Sequence, residues 1–209
     1  MPQATKSVFP MSSVHYEGVC APPPVLPTQK EMFDYQVETL VGKGRMNYAA
    51  ADPFRNRLPE RGLFLLVPPP PKTLDLEELM GAVTLEGRTG KNYLDVAYLK
   101  DIGDYPTTAS LLTDIEDGRG RLNVKPMVSR ENIASKGRHP YNTWRGIIHV
   151  TVFPWVLKHH YLDLVGARFN EGYVPYLCVN DDKPALVSNS EGYAHPEYGA
   201  PSAGSVIVP

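Results

Sequence analysis

The stretch from Ser110 to Val179 decides the fold of this chain of 209 residues. Short apolar runs alternate in it with turn-forming residues, and such runs of about four to eight residues are typical of strands. The pattern predicts a β-hairpin, then a pair of helices, then a second hairpin. The best patterned pieces are Leu111-Leu112-Thr113-Asp114-Ile115, Leu122-Asn123-Val124-Lys125-Pro126, Val165-Gly166-Ala167-Arg168 and Val174-Pro175-Tyr176-Leu177-Cys178-Val179.

The first hairpin is predicted around the turn Glu116-Asp117-Gly118-Arg119-Gly120, with strands over 109–115 and 121–124. An Asp-Gly pair followed by another glycine supplies the positive φ angles that a tight hairpin turn needs. The acidic residues of this segment lack the alternate spacing and the closing glutamate of a calcium-binding loop. A turn is therefore the favoured interpretation.

The rest of the stretch predicts two helices followed by strands. One helix covers 126–134, and the next begins at Asn142 or Thr143. Pro154 interrupts the second helix, because proline has no backbone N–H and clashes with the preceding turn. The predicted strands are 161–169, 173–179 and 184–187.

The chain before this stretch is predicted to add helices and one buried strand. Phe33, Val37 and Leu40 follow helical spacing within 29–42. The run Leu63-Phe64-Leu65-Leu66-Val67 is short, continuous and apolar, which predicts a buried strand. Thr73 is expected to cap a short helix, and a further short helix is expected over 93–102.

Proline is the unusual residue of the composition, with 21 of 209 positions against an average usage of about 5%. Many of the prolines lie near the two ends, where they favour extended backbone. The expected organisation is an extended N-terminal arm over 1–28, a single α+β domain over 29–187, and an extended C-terminal arm over 188–209. The predicted fold class is a small antiparallel sheet built from hairpins and packed against several helices.

Composition and charge exclude several classes of function. The net charge is -2, so the chain has no overall basic field and nucleic acid is an unlikely partner. No apolar run reaches the roughly 20 residues that span a bilayer. The first six residues do not resemble a secretory signal, and the cytoplasm is the predicted location. Cys20 and Cys178 are expected to be free thiols there, although a disulfide between them is the open alternative.

Two motifs suggest a nucleotide or a metal ion, but neither meets the requirements of such a site. Gly87-Arg88-Thr89-Gly90-Lys91 resembles a phosphate-binding loop, but Leu85 and Asn92 stand where that loop needs glycine and a hydroxyl residue. The pair His159-His160 suggests a metal site, but adjacent residues of a helix point in different directions. No cofactor and no metal is therefore expected.

Three residues form the candidate ligand site. Arg138 ends a helix–loop segment, and Arg168 lies on a predicted strand of the second hairpin. Two arginines suit bidentate recognition of a phosphate or a carboxylate, and His139 beside them can act as an acid or a base. The alternative for each arginine is a surface salt bridge or a bond to a backbone carbonyl.

The chain resembles a bacterial family of uncharacterised proteins, a domain of unknown function. The order and spacing of the shared pieces hold from about Phe33 to Val187. The resemblance implies a fold and no activity. Members tend to carry a Trp- and Cys-rich segment with a Pro-His pair near the C-terminus, where this chain has Pro184-Ala185-Leu186 and later His195-Pro196. If that segment serves chemistry, this member has lost it. The shared pieces are Phe33-Asp34-Tyr35-Gln36-Val37-Glu38-Thr39-Leu40, Leu111-Leu112, Asp114-Ile115-Glu116-Asp117-Gly118, Leu122-Asn123-Val124-Lys125-Pro126, Lys136-Gly137-Arg138-His139-Pro140, Phe153-Pro154-Trp155-Val156-Leu157, Gly166-Ala167-Arg168 and Val174-Pro175-Tyr176-Leu177.

Two classes of function follow from these observations. The first is a non-catalytic binding or assembly protein whose extended arms contact neighbouring subunits or a protein partner, since segments that order on binding can cover large surfaces. The second is a small enzyme or an anionic-ligand-binding protein that uses Arg138, His139 and Arg168. The sequence contains no recognisable catalytic set, which favours the first.

Overall fold

Thr28 begins the part of the chain that the computed structural model describes, residues 28–209. Its side chain accepts a hydrogen bond from the Glu31 amide, and the Glu31 carboxylate accepts one from the Thr28 amide. This capping box satisfies two backbone donors at the start of the first helix. The α-helices of the described part are α1 (Gln29–Gly42), α2 (Tyr48–Ala51), α3 (Leu76–Gly81), α4 (Pro126–Ser135) and α5 (Thr143–Val152).

The strands form two main sheets and two small ones. The bounds are β1 (Leu65–Val67), β2 (Thr84–Leu85), β3 (Arg88–Thr89), β4 (Lys91–Asn92), β5 (Leu99–Asp101), β6 (Ser110–Glu116), β7 (His139–Pro140), β8 (Tyr161–Asp163), β9 (Ala167–Phe169), β10 (Tyr173–Asn180), β11 (Lys183–Ser190), β12 (Tyr198–Gly199) and β13 (Ser202–Ile207). The four-stranded sheet has the order β1-β6-β13-β7, and the five-stranded sheet has the order β12-β8-β10-β11-β4. The pairs β2-β3 and β5-β9 form the small sheets.

Helix α5 lies at the centre of the described core. All ten of its residues are buried, and it contacts α1, β1 and β10. A Cβ atom on Gly146 would collide with the Leu164 side chain, so this glycine permits the helix to pack closely against the segment that follows β8. Pro154 ends α5 and starts a 3-10 turn over Pro154–Lys158, as the position of the proline predicts.

The α+β fold class is confirmed. Helices α1 and α4, the split at Pro154, the buried strand over 65–67 and the hairpin β10–β11 all lie where the sequence predicts them. These elements depend on local signals such as caps, turns and regular spacing of apolar residues, which a sequence displays directly.

The predicted hairpin around 116–120 is wrong. Strand β6 does form, but Arg119–Arg121 is a 3-10 turn and no strand follows it. Asn123 has a positive φ of 59°, which breaks an extended run. The two edges of β6 are instead occupied by β1 and β13, so the distant pairing replaced the local one.

The structure also differs from the expected boundary at residue 187. Residues 188–190 complete β11, and Ser202–Ile207 forms β13 in the interior of the four-stranded sheet, between β6 and β7. The physical reason is that β6 and β7 each need a strand partner for their backbone groups, and β13 supplies it to both. The N-terminal arm over 1–27 lies outside the described residues, as does Cys20.

Three smaller predictions need correction. Asp75 rather than Thr73 caps α3, through a bond from the Glu78 amide. Residues 93–102 form a 3-10 turn and then β5 rather than a helix, because β5 pairs with β9. The single strand predicted over 161–169 is divided into β8 and β9, which belong to different sheets.

Candidate anion-binding cleft

A cleft of about 360 Å³ opens beside the N-terminus of α5. Asn142 is the N-cap of this helix, and its side-chain oxygen accepts a hydrogen bond from the Arg145 amide at 3.0 Å. The side-chain amide of Asn142 donates to Oδ2 of Asp101 at 2.7 Å. One buried side chain therefore fixes both the start of the helix and a carboxylate at the cleft.

Arg145 lines this cleft and is only 3% exposed. Its Nη1 donates to the Pro140 carbonyl oxygen at 3.3 Å. Its guanidinium carbon lies 4.6 Å from the centroid of the Tyr105 ring, a cation–π arrangement that covers one face of the planar group. Among residues 28–209, no carboxylate forms a salt bridge with Arg145.

Arg145 is unusual among the shielded arginines of the protein. Every other buried or half-buried arginine in the described range has an acidic partner. These pairs are Arg45–Glu78, Arg119–Asp117, Arg121–Glu116, Arg130–Glu191 and Arg138–Asp114. Proteins rarely bury a charge without a partner, so the exception identifies Arg145 as the centre of the candidate site.

Tyr105 holds its position over the guanidinium through its hydroxyl group. That hydroxyl lies 3.1 Å from the Gly166 carbonyl oxygen and 3.4 Å from that of Pro140, and it can donate to either. Gly166 in turn donates its amide to the Tyr141 carbonyl at 2.8 Å. A Cβ on Gly166 would collide with the Tyr105 hydroxyl and would lie 2.7 Å from the Tyr141 carbonyl oxygen. The absence of a side chain at 166 is thus required for the placement of Tyr105.

Burial and neighbouring charge act in opposite directions on the charged groups here. Burial lowers the pKa of Arg145, while Tyr105, Tyr141 and Asp101 act to raise it. An arginine nevertheless stays protonated in proteins. Burial raises the pKa of Asp101, and the bond from Asn142 and the charge of Arg145 partly offset that effect. The cleft therefore holds a fixed cation at its buried end and a carboxylate nearby.

The three residues predicted from sequence lie elsewhere. None of Arg138, His139 and Arg168 lines the cleft. Arg138 donates from Nη1 to Asp114 Oδ2 at 2.6 Å and from Nε to Ser202 Oγ at 2.9 Å. Arg168 is half exposed, and its Nε lies 3.5 Å from Glu191. The two arginines thus interact with different acidic residues.

His139 is adjacent to Arg138 and lies on β7, exposed to solvent. Burial of part of the ring lowers its pKa, and the charges of Arg145 and Arg138 add to that effect. His160, of the pair considered as a metal site, bonds through Nε2 to the Asp117 carbonyl at 2.8 Å, while His159 is exposed. Within residues 28–209, no three His, Cys, Asp or Glu side chains are grouped to hold a metal ion.

Arg145 is not among the site residues predicted from the sequence, although the sequence contains one signal that indicates it. Arg145 is the one charged Arg, Lys, Asp or Glu residue within 143–152, a segment otherwise apolar enough to be buried on all sides. An arginine in such a segment needs either a partner or a ligand. Its neighbours Asp101 and Tyr105 are 44 and 40 residues away in the chain, which the spacing of motifs does not reveal.

Comparisons with known proteins give a family and no activity. Residues 28–187 match a family described as a family of unknown function (DUF5701). This match confirms the resemblance to a family of uncharacterised proteins. No curated protein and no solved structure matches the chain. No helix of residues 28–209 is both long and apolar enough to span a bilayer.

Proposed function

The chain belongs to this family of unknown function, and we propose that it is a binding protein for a small ligand whose anionic group is held by Arg145. The observation that carries the proposal is a guanidinium group that is buried, lines a cleft and forms no salt bridge with any of the described residues. The proposed location is the cytoplasm.

The energetics of Arg145 favour a ligand. Removing a charged group from water costs several kcal/mol after relaxation. The Tyr105 ring offsets about 2 kcal/mol of this at most, and the Pro140 carbonyl supplies one hydrogen bond. A carboxylate or phosphate in the cleft would add charge-assisted hydrogen bonds, which are about twice as strong as neutral ones.

The position of the cleft at a helix N-terminus supports the same ligand charge. The peptide dipoles of a helix place partial positive charge at its N-terminus, and α5 is ten residues long. The free amide groups of such a terminus favour an anion. Arg145 and the helix therefore act on a bound anion in the same direction.

The residues that line the cleft favour binding over catalysis. The part of the lining contributed by residues 28–209 includes no histidine and no cysteine, which are the side chains most often used as proton carriers and thiol nucleophiles. The lining does include Asp101, Tyr105 and Ser110, which we assign to positioning and binding.

The test is a comparison of arginine-to-lysine variants by isothermal titration calorimetry and thermal shift with acetate, phosphate and amino acids. Lysine keeps the positive charge but loses the planar fork of donors, so Arg145→Lys should weaken binding about tenfold to a hundredfold. The control is Arg61→Lys, at an exposed arginine distant in sequence from the cleft. Equal binding by Arg145→Lys and the wild type, or no binding of acetate, phosphate or any amino acid by a folded wild type, would overturn the proposal.

The assembly hypothesis remains a second proposal, now centred on residues 1–27. The expected C-terminal arm contributes β13 to the chain's own sheet, which leaves the proline-rich N-terminal segment as its support. Size-exclusion chromatography with light scattering on the full chain and on a chain lacking 1–27 separates the outcomes. A defined oligomer that requires 1–27 supports assembly, and a monomer in both cases contradicts it.

A further inference from the structure

The ligand class of the cleft follows from its balance of charges. We infer that the ligand is a zwitterion of the α-amino acid type, with a carboxylate on Arg145 and an ammonium group on Asp101; this inference rests on the proposed binding at Arg145. The charged residues that line the cleft are Lys72, Asp101, Asp104 and Arg145. Their charges sum to zero, so the lining as a whole does not select a simple anion.

The acidic residues oppose a multiply charged anion. The side chains of Asp101 and Asp104 are accessible to solvent at the cleft, although neighbouring atoms surround the Asp101 carboxyl closely enough to raise its pKa. Arg145, by contrast, is only 3% exposed. A phosphate bound at Arg145 would bring two negative charges close to these carboxylates, and like charges at short range are unfavourable. A ligand that carries an amino group next to its carboxylate turns the same carboxylates into favourable partners.

Asp101 is held in a position to take that role. Its Oδ2 accepts the Asn142 bond at 2.7 Å, and Asn142 also caps the helix that carries Arg145. The Asp101 backbone is fixed by the pairing of β5 with β9, opposite Ala167. Within residues 28–209, Asp101 forms no salt bridge. The charge of Arg145 acts on it from beyond salt-bridge distance, which leaves the carboxylate open to direct contact with an ammonium group.

The remaining walls of the cleft suit an apolar side chain. They include Pro70, Pro71, Leu74 and Trp144. The indole nitrogen of Trp144 donates to the Pro68 carbonyl at 2.9 Å, which fixes the orientation of the ring. A volume of about 360 Å³ is at the lower end of ligand pockets, which span roughly 300–1,000 Å³. These features favour a single amino acid with an apolar or aromatic side chain.

The experiment uses the full chain and three matched probes for each amino acid that binds. All twenty amino acids are first screened by thermal shift, with acetate and phosphate alongside. Each amino acid that stabilises the protein is then compared by calorimetry with its analogue lacking the amino group and its analogue lacking the carboxylate. For phenylalanine these are 3-phenylpropanoate and phenethylamine. We expect the amino acid to bind at least about tenfold more tightly than either analogue.

The variant Asp101→Asn separates this inference from the proposed function. It keeps the shape of the side chain and removes its charge, so it should abolish the preference for the amino acid over the analogue lacking the amino group, while that analogue still binds. Glu171→Gln, at an exposed position in a turn, is the matched control and should retain the preference.

The outcomes distinguish a failure of the zwitterion inference from a failure of the proposed function. Equal binding of the amino acid and the analogue without the amino group by the wild type overturns the zwitterion inference and leaves anion binding at Arg145 standing. A stabilising effect of acetate or phosphate without any effect of an amino acid does the same. If none of the probes binds to the folded wild type, both claims fail. If Asp101→Asn does not fold, the wild-type comparison of the three probes alone decides.

Discussion

Arg138 and Arg145 lie seven residues apart and are both shielded from water, yet within residues 28–209 only Arg138 of the two forms a salt bridge. Arg138 bonds to Asp114 and to both the hydroxyl and the carbonyl of Ser202. Arg145 has the Pro140 carbonyl and the Tyr105 ring. The first arginine connects strands of the four-stranded sheet, and the second lines the cleft, where we propose that it holds a ligand.

The role of an arginine therefore depends on which groups the fold places around its guanidinium. Asp114 and Ser202 lie 24 and 64 residues from Arg138 in the chain, so no local sequence pattern predicts that they contact it. Where the fold brings such partners, the guanidinium serves structure. Where it brings an aromatic face and an open cleft, the guanidinium is available for recognition.

Asp163 is a buried acid that, unlike the two arginines, can lose its charge. We expect its substitution to change the free energy of unfolding more than any other. Asp163 is 1% exposed, and its Oδ1 has no hydrogen-bond partner. Burial raises its pKa to about 7. The folded protein therefore holds a proton there up to about pH 7 that the unfolded chain releases near pH 4, and the free energy of unfolding should fall across that interval.

Asp163→Asn removes this dependence and should stabilise the protein above pH 7 by up to about 4 kcal/mol, with little effect at pH 4. Urea unfolding of both proteins from pH 4 to pH 8 measures the difference. Burial lowers the pKa of His149 to about 4, so this residue makes the free energy of unfolding rise with pH over part of the range. Because both proteins contain His149, its contribution cancels when they are compared. A difference that does not change with pH would contradict the prediction.

Gly166→Ala tests whether the placement of Tyr105 depends on the space at residue 166. The added methyl group would collide with the Tyr105 hydroxyl and would lie 2.7 Å from the Tyr141 carbonyl oxygen. We expect a loss of about 3 kcal/mol in the free energy of unfolding and weaker anion binding. Gly172→Ala is a less suitable control because of its positive φ, so Gly42→Ala, where nothing lies within 4 Å, serves instead. A fully stable Gly166→Ala would show that this contact relaxes at little cost.

Arg138→Met tests the arginine that forms a salt bridge within the protein. The substitution removes charge-assisted bonds that connect β7 to β6 and β13, and we expect a loss of about 2 kcal/mol in the free energy of unfolding. Binding of small anions should be unchanged in the fraction that stays folded. Denaturant unfolding and calorimetry measure the two quantities separately.

Arg145→Met is the matched substitution and should have the smallest effect on stability, with the opposite sign. Arg145 has no salt bridge to lose among the described residues, and methionine removes the cost of keeping a charge out of water, so without ligand we expect a gain of about 1 kcal/mol or less. Anion binding should be lost. A destabilisation as large as that of Arg138→Met would mean that Arg145 is as well satisfied as Arg138 and would remove the basis of the comparison.

The sequence predicts the elements whose signals are local. The spacing of Phe33, Val37 and Leu40 locates α1, and Asn142 and Pro154 bracket α5. These residues act on backbone groups within a few positions of themselves, so their effect is visible without a structure.

The elements that were missed depend on partners far along the chain. The turn signal at Glu116-Asp117-Gly118 is real, but β6 pairs with β13, which begins 86 residues after β6 ends. Arg145 was missed for the same reason, since Asp101 and Tyr105 reach the cleft through the pairing of β5 with β9 and the contact with Gly166. Tertiary pairing overrides local preference at these positions.

The interior position of β13 sets the order of events during synthesis. At about 5–20 residues per second, roughly 4 to 17 seconds pass between the end of β6 and the start of β13. Throughout that interval the edge of β6 that β13 will occupy has no partner, and an unpaired edge is a template for pairing with other chains. Until β13 has emerged, a β6 strand formed in the nascent chain is therefore open to pairing with another chain at that edge.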